Sequence, residues 1–520
     1  MRKFMPVFLL IALFSGHSVF CQAISSTRID SVAELVLKTF EVPGMAIAVV
    51  KDGKIVHAKG YGVRSLKTKQ KVDENTLFGV ASNTKAFTAA ALGMLVDEKK
   101  LSWDDKVVDY IPGFKLYNPY VTMEFTIRDL LTHRSGLGLG AGDLMMFPDS
   151  SNFTREDIIR NLRYLKQVSD FRTKYDYDNN LYIVAGEVVA KVSGMSWEDF
   201  IDTRILKPLG MMATAPSMLR VKDRSNIIDP HAPVNGKVEA LKIDWSETAN
   251  AAGGLVTNVT DLSKWIIMQM NHGKYGDGKQ MFSETVHEEM WTPQTIIPTT
   301  TTPPYNTHFA SYGLGWFLSD VKGYKQVTHT GGLAGVVTQV TLLPELQLGI
   351  IVLTNQQSGA AFTAITNTIK DSYLGITGMN RVKQMHDRVV QNEAQAKKIT
   401  DQIQKDIDAQ QKSTGAKPAN ALFLGTYNDP WFGDVTIAEQ NGKLRFNAIR
   451  SPRLRGDLFY YKGNTFIVRW DDRSFDADAY VMFSLDMDGK ASGIKMKAIS
   501  PLTDFSFDFH DLELERKDAR

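Results

Sequence analysis

The sequence predicts an α+β protein in which an antiparallel sheet is flanked by helices with a helical subdomain, followed by a C-terminal antiparallel β-barrel. Strand-like segments occur near the N-terminus and again from 314 to 354, so early and late strands can pair into one sheet with the helices packed around it. Beyond residue 421, short strands are separated by Asn-Gly, Gly-Asn and Asp-Gly turns, which is the spacing of a small barrel.

Length and composition limit the classes of function. A chain of 520 residues, 43% apolar and 23% charged, is typical of a globular protein with two or three domains. The formal net charge of +2 gives no reason to expect a nucleic-acid partner. We also predict neither a bound metal nor a cofactor. We place a signal peptide at 1–23, a first domain at 24–375, a helix and polar linker at 376–420, and the barrel at 421–520.

The N-terminus has the pattern of a secretory signal. Basic residues lead into an apolar run at 4–14 that is too short to span a bilayer, and cleavage after Ala23 is the first choice. Cys21, the only cysteine, is an alternative lipid-attachment point, although Phe20 before it is bulky where such sites have a small residue. The predicted location is therefore the periplasm or the outside of the cell, without disulfides.

The individual elements follow from local patterns. A helix is expected at about 31–40, and a hairpin with an Asp-Gly turn joins strands at 45–50 and 55–58. A capping-box pattern at Thr126 to Asp129 predicts a helix start. A thin apolar stripe from Val382 to Ile407 predicts a surface helix before the polar linker. The late strands are expected at 316–318, 336–343 and 348–353.

Ser82 and Lys85 stand at the head of an apolar, Ala-rich segment that predicts a buried helix. On a helix, positions i and i+3 share a face, so the hydroxyl and the amine can meet. A desolvated lysine can accept the proton of a serine and make it a nucleophile. Two other Ser-x-x-Lys pairs, beginning at Ser319 and Ser492, lie in strand-like sequence, where i and i+3 point to opposite faces.

Two further motifs are candidates for the same site. Tyr177-Asp178-Asn179 precedes a helical stretch, and a tyrosine there, beside a lysine, can have a lowered pKa and relay protons. The alternative is a tyrosine that packs at a helix edge. His329-Thr330-Gly331-Gly332 precedes a strong strand, and its small residues let backbone amides approach a substrate. The alternative for His329 is a turn residue.

The ordered set Ser-x-x-Lys, Tyr-x-Asn and His-Thr-Gly resembles the serine beta-lactamase and penicillin-binding-protein superfamily. The branch it resembles holds class C beta-lactamases, D-alanyl-D-alanine carboxypeptidases and related esterases and D-aminopeptidases. The segment 125–137 and the glycine turn at 252–255 also look like that family, and the resemblance covers about residues 30–375. It implies a beta-lactamase-like fold for the first domain, and the barrel is similar to the lipocalin-like accessory domain of some members.

The resemblance implies a role for each motif residue. Ser82 would be the acylated nucleophile, with Lys85 and Tyr177 sharing general-base and general-acid duty. The backbone N–H groups of Ser82 and Gly332 would form the oxyanion hole. Asn179 would contact the substrate amide. Three residues of the third motif would also bind the substrate: Thr330, Gly331 and Gly332.

His329, the fourth predicted catalytic residue, stands where beta-lactamases usually have a lysine. A neutral imidazole gives no fixed charge for a substrate carboxylate, so efficient beta-lactam hydrolysis is not expected. We expect an exported serine hydrolase that forms an acyl-enzyme and acts on a D-amino-acid-containing peptide, peptidoglycan fragments among them, or on a small ester or amide. The alternatives are a beta-lactamase proper or a non-catalytic penicillin-binding-like receptor, and an oligomer formed through the C-terminal domain stays open.

Overall fold

The structure is a computed structural model that describes residues 23–242, 246–415 and 417–517. Cys21 and the rest of the predicted signal peptide up to residue 22 lie outside the described residues. Within the described ranges, no helix combines the length and the apolar character that crossing a membrane requires.

One eight-stranded antiparallel sheet forms the centre of the first domain. Two adjacent inner strands, Gly44–Lys51 and Leu348–Thr354, are buried along nearly their whole length because helices cover both faces of the sheet. In spatial order its strands are Lys54–Gly62, Gly44–Lys51, Leu348–Thr354, Val336–Leu343, Tyr324–Leu333, Phe317–Val321, Ala310–Tyr312 and Thr295–Ile297.

The predicted pairing of early with late strands is confirmed, with Ala48 opposite Ile351. The His-Thr-Gly-Gly motif precedes the strand Val336–Leu343, as the sequence predicts, and it also lies within a strand of its own, Tyr324–Leu333. There His329 pairs with Val340 and Gly332 with Val337, so the alternative that His329 is a turn residue is wrong. Two consecutive glycines weaken a strand pattern in the sequence, and only the neighbouring strand holds them extended.

The helix Lys85–Asp97, called the central helix below, is buried from Lys85 to Leu95. Its Phe87 ring stacks on Trp265 at 3.8 Å between ring centroids. A single 3-10 turn, Ala81–Thr84, leads into it and carries Ser82. Because the helix is apolar all round, it occupies the middle of the domain, as its sequence predicts.

The other helices surround the sheet and the central helix. The capping box at Thr126 is confirmed, since its hydroxyl accepts the Asp129 N–H and the Asp129 carboxylate accepts the Thr126 N–H. The α-helices are Ser26–Thr39, Val107–Tyr110, Pro119–Glu124, Ile127–Leu131, Arg155–Asn161, Asn180–Ser193, Trp197–Phe200, Asn250–Gly253, Val259–Met270, Glu284–Met290, Gly359–Tyr373 and Arg381–Lys412.

The C-terminal barrel is closed, which removes its free edges. Its interior is filled with aromatic side chains, such as Phe446, whose ring lies 5.5 Å from that of Trp470. The barrel strands are Gly425–Asp429, Gly433–Gln440, Lys443–Ala448, Arg455–Lys462, Thr465–Trp470, Ala479–Leu485, Ala491–Ala498 and Leu514–Arg516.

The long helix Arg381–Lys412 joins the two parts of the molecule and packs against both. At its start, the Arg381 guanidinium donates to the Asp371 carboxylate of the first domain at 2.6 Å. Near its end, Ile403 and Ile407 pack on the outside of the barrel against Tyr461. The helix therefore fixes the barrel beside the first domain.

Candidate active site

Ser82 lies on a tight turn pressed against the sheet. The preceding residue, Ala81, has a left-handed backbone with φ of 47°, a conformation that is costly for a residue with a side chain. The strand that carries Gly331 packs directly against this turn, and a Cβ at Gly331 would overlap the carbonyl oxygen of Val80. The glycine therefore allows the close approach that brings the third motif beside Ser82.

The ammonium group of Lys85 has three hydrogen-bond partners, and one of them is Ser82. Lys85 Nζ lies 3.1 Å from Ser82 Oγ, 2.7 Å from Asn179 Oδ1 and 2.9 Å from the carbonyl oxygen of Ala252. The side chain is fully buried. Three donors thus meet three acceptors, and the geometry points the lysine at the serine hydroxyl.

Burial lowers the pKa of Lys85 to about 7, since the charged form loses its hydration. The carboxylates of Asp143 and Asp178 act in the opposite direction and raise it. Near neutral pH a large fraction of Lys85 is therefore uncharged and can accept a proton. A general base works best when its pKa lies near the working pH.

Tyr177 lies over the same lysine, with its ring centroid 4.8 Å from Lys85 Nζ. Burial raises the pKa of Tyr177 well above its ordinary value, and the interaction with the Ser82 hydroxyl offsets only part of that rise. The expectation of a lowered tyrosine pKa is therefore wrong. The phenol is neutral at physiological pH, so it can donate or share a proton but does not supply a phenolate base.

His329 lies on the wall of the cavity, but both of its ring nitrogens have partners. Nδ1 lies 2.6 Å from the carbonyl oxygen of Thr330, which can only accept, so Nδ1 carries the hydrogen. Nε2 then accepts from the Tyr312 hydroxyl at 2.9 Å. Burial lowers the pKa of His329 to about 3, with a further contribution from Lys85. The imidazole is neutral and has no free N–H for a substrate.

Asn179 connects the lysine to a buried carboxyl group. Its Oδ1 accepts from Lys85, and its Nδ2 donates to Asp143 Oδ2 at 2.9 Å. Burial, together with the neighbouring Asp178, raises the pKa of Asp143 well above its ordinary value. Burial also raises the pKa of Asp178 to about 7. The predicted substrate-binding residue is thus held on both sides, and its amide lies in the cavity wall.

The three residues after His329 also line the cavity. Thr330 is exposed, and a Cβ added at Gly332 would meet no heavy atom within 4 Å, so both face open space. The structure therefore brings all eight predicted site residues to one place, with Lys85 beneath the cavity and the others on its wall. Among the described residues, no group of three or more acidic, histidine or cysteine side chains is arranged to hold a metal.

The cavity above Ser82 has a volume of about 700 Å³ and is mainly apolar. One side belongs to the first domain and includes Met146 and Phe317. The other side belongs to the barrel, where the segment 499–508, called the cleft loop below, brings Phe505 to a ring distance of 5.8 Å from Tyr177. The barrel therefore forms part of the wall of this site.

Further contacts hold the barrel against the first domain. Phe507 packs on Phe147 with ring centroids 5.0 Å apart, and Asn161 Nδ2 donates to the Trp431 carbonyl at 2.8 Å. Arg453 forms an ion pair with Asp149. The interface thus combines apolar and charged contacts around the cleft.

Several residues near the reactive groups were not predicted from the sequence to belong to the site. His133 is buried, and its ring lies 4.2 Å from that of Tyr177. Asp143 follows a Gly-rich loop, and Ser506 and Asp508 belong to the barrel. His133 lies within the family-like segment 125–137, which was the available indication. No local pattern marks Asp143, Ser506 or Asp508, because their neighbours come from distant parts of the chain.

Comparison with known proteins gives matches for both parts of the chain. The family described as "Beta-lactamase" matches residues 32–374. A family described as a domain of unknown function, DUF3471, matches residues 409–516.

Individual relatives match about two thirds of the chain. "Unguisins hydrolase ungD" of Aspergillus violaceofuscus is 30% identical over 369 residues, covering 66% of this chain and 64% of that protein. "Protein flp" of Staphylococcus aureus is 28% identical over 341 residues, covering 64% of each. The chain therefore spans slightly less than two thirds of the length of these relatives.

A solved structure matches nearly the whole chain. The octameric penicillin-binding protein homologue from Pyrococcus abyssi is similar with a TM-score of 0.60 at 23% identity, covering 92% of this chain and 99% of that chain. At this identity the likeness establishes the fold, and the predicted fold class is confirmed.

Proposed function

The chain belongs to the beta-lactamase family, and from that premise we propose that it is a serine hydrolase that forms an acyl-enzyme on Ser82. Its substrate is a neutral ester or amide, in the form of a small ester or a D-amino-acid-containing peptide. One observation carries the proposal. Lys85 Nζ lies 3.1 Å from Ser82 Oγ, and the pKa of this lysine is lowered to about 7.

Acylation begins with proton transfer from Ser82 to Lys85. The oxygen attacks the substrate carbonyl carbon, and the backbone N–H groups of Ser82 and Gly332 stabilise the negative charge on the carbonyl oxygen. The bond from the carbonyl carbon to the leaving group breaks, and the leaving group takes a proton from the ammonium of Lys85 with the neutral Tyr177 hydroxyl beside it. In the second half, a water molecule occupies the place of the leaving group, gives a proton to the neutral Lys85 and attacks the acyl carbon. The bond from that carbon to Ser82 Oγ breaks, Lys85 returns the proton to Ser82, and the acid product leaves.

The walls of the cavity support a neutral substrate. The neutral His329 provides no positive charge where a substrate carboxylate would otherwise pair. Among the described residues that line the cavity, Lys242 is the single lysine or arginine, and three carboxyl groups, those of Asp149, Asp476 and Asp504, line it as well. An anionic substrate therefore finds little electrostatic compensation, whereas an apolar acyl group buries its surface against the wall.

We also propose a role for His329, a location for the protein and a natural substrate in that location. His329 orients Tyr312 and contributes a neutral wall rather than a proton. Export to the periplasm or outside the cell rests on the N-terminal sequence, with lipid attachment at Cys21 as the alternative. In that location, peptidoglycan fragments are the D-amino-acid-containing substrate that the sequence suggests, although their free carboxylates fit this cavity less well than a neutral ester does. An oligomer formed through the C-terminal domain is still open.

A turnover panel tests the proposal with three substrates: a p-nitrophenyl ester, a D-Ala-D-Ala peptide whose C-terminus is amidated so that it carries no carboxylate, and nitrocefin. We expect hydrolysis of the ester or the peptide and slow hydrolysis of nitrocefin, because nitrocefin carries a carboxylate. Ser82→Ala should abolish all activity while the protein stays folded. Nitrocefin turnover faster than that of both other substrates would contradict the substrate class, and full activity of the Ser82→Ala variant would contradict the mechanism.

A further inference from the structure

A chain of hydrogen bonds runs from the barrel to the reactive serine. Ser506 of the cleft loop donates through Oγ to Asp143 Oδ2 at 2.8 Å. The same carboxylate oxygen accepts from Asn179 Nδ2, and Asn179 Oδ1 in turn accepts from Lys85. Lys85 reaches Ser82. The cleft loop is therefore three hydrogen bonds away from the predicted general base.

A second barrel residue holds the backbone on both sides of Asp143. The Asp508 carboxylate accepts from the Gly142 N–H at 2.7 Å and from the Leu144 N–H at 3.1 Å. Asp508 and Asp143 are both fully buried. Buried carboxyl groups are costly unless they are hydrogen-bonded, so this pair is a specific feature of the interface and not a surface contact.

We propose that Ser506 and Asp508 of the barrel are positioning residues of the active site, which hold Asp143 so that Asn179 presents its oxygen to Lys85. The proposal rests on the proposed function, because it concerns the base of that same reaction. It assigns the barrel a part in catalysis besides forming a wall of the cavity.

The orientation of the Asn179 amide explains why Asp143 is needed. An amide has one accepting end and one donating end, and Lys85 donates towards Asn179, because the single lone pair of its neutral form is needed for the Ser82 proton. An acceptor on the far side, the Asp143 carboxylate, fixes the donating end there and leaves the oxygen for Lys85. Without that acceptor, the reversed amide would place two donors against each other and release Lys85 from its position.

Electrostatics act through the same groups. The bonds from Ser506 and Asn179 favour the ionised form of Asp143, against the effects of burial and of Asp178. Asp143 and Asp178 raise the pKa of Lys85, whereas the buried His133 and His329, whose pKa values are both lowered, stay neutral. Besides these four residues, the phenol rings of Tyr177 and Tyr182 lie near Lys85 Nζ. Besides Asp178, the carboxyl group that interacts with Asp143 is that of Asp508. Loss of the Ser506 bond should therefore favour protonated Asp143 and lower the pKa of Lys85.

The test is the rate at which a fluorophosphonate labels full-length protein, measured as a function of pH. For Ser506→Ala we expect a loss of about tenfold, as for a hydrogen bond to a charged group, with the acid limb of the profile moved to lower pH. Ser506→Thr, which keeps the hydroxyl, should restore the rate. The matched control is Ser500→Ala in the same loop, whose hydroxyl bonds to Asp476 within the barrel and should not change the profile.

Asp508→Asn provides a second variant, since it keeps one accepting oxygen and should give a smaller loss in the same direction. Wild-type protein that never labels would overturn the proposed function and this inference together. Labelling of wild type and Ser506→Ala at equal rates at every pH would overturn this inference alone. A slower Ser506→Ala variant with an unmoved acid limb and a lowered melting temperature would show a purely structural role and would also overturn it.

Discussion

The first domain and the barrel differ most in what they bury. In the first domain, the buried polar side chains include Lys85, Asp143, Asp178 and His329, and they converge beneath or around a single cavity. The barrel buries mainly aromatic and aliphatic groups. Two carboxyl groups of the barrel illustrate its contacts. The buried Asp429 accepts from the Trp431 and Phe432 N–H groups within the barrel, whereas the buried Asp508 accepts from the Gly142 N–H of the first domain.

The buried ionisable groups of the first domain and the apolar interior of the barrel therefore have different explanations, catalysis for the former and stability for the latter. Burying a charge costs several kcal/mol in lost hydration unless it is well paired, so a cluster of buried ionisable groups is hard to explain by stability alone. Perturbed pKa values in a cleft are, conversely, what acid–base catalysis needs. The aromatic interior of the barrel needs no such explanation, because apolar packing is sufficient to hold it.

The largest expected effect comes from removing the buried lysine at the site. Lys85→Met should reduce the rate of labelling at Ser82 by about 10²–10⁴-fold, the usual contribution of a general base, without lowering the melting temperature. The rate of labelling by a fluorophosphonate and a thermal unfolding curve measure the two quantities.

The chain offers a matched control for that variant. Lys370 is also buried, and burial lowers its pKa to about 7, but it donates to Gln326 in another part of the domain. Lys370→Met should keep the wild-type labelling rate. An equal loss in both variants would mean that burial of any lysine, and not contact with Ser82, explains the effect.

A smaller effect is expected on stability at the glycine pair. Gly331→Ala places a methyl group onto the Val80 carbonyl and should lower the free energy of unfolding by about 1–3 kcal/mol, as overpacking does. Gly332→Ala places its methyl group in open space and should leave the free energy of unfolding nearly unchanged. Denaturant titration of the two variants measures the difference, and equal destabilisation would contradict the close packing of this strand against the Ser82 turn.

The sequence was sufficient where the determining contacts are local. The spacing of Ser82 and Lys85 predicts their meeting, the capping box at Thr126 predicts a helix start, and the regular turns predict the barrel strands. All three are confirmed by the structure. These features depend on neighbours within a few residues of each other.

The sequence was insufficient where burial or distant contacts decide. The direction of the Tyr177 pKa depends on how completely the surrounding chain excludes water, which no motif records. The Ser506 hydroxyl meets Asp143 across 363 positions in the sequence, so no spacing rule relates them. The barrel was predictable as a domain, but its place in the cleft was not.

One measurement tests the central claim most directly, namely that neutral Lys85 activates Ser82. Wild-type protein is labelled with a fluorophosphonate across a range of pH, and peptide mass spectrometry locates the adduct. With a Lys85 pKa of about 7, the rate of labelling should rise about tenfold per pH unit below neutrality and level off above it, with the adduct on Ser82 alone. A rate that does not change with pH in this range, or an adduct on another residue, would contradict the account.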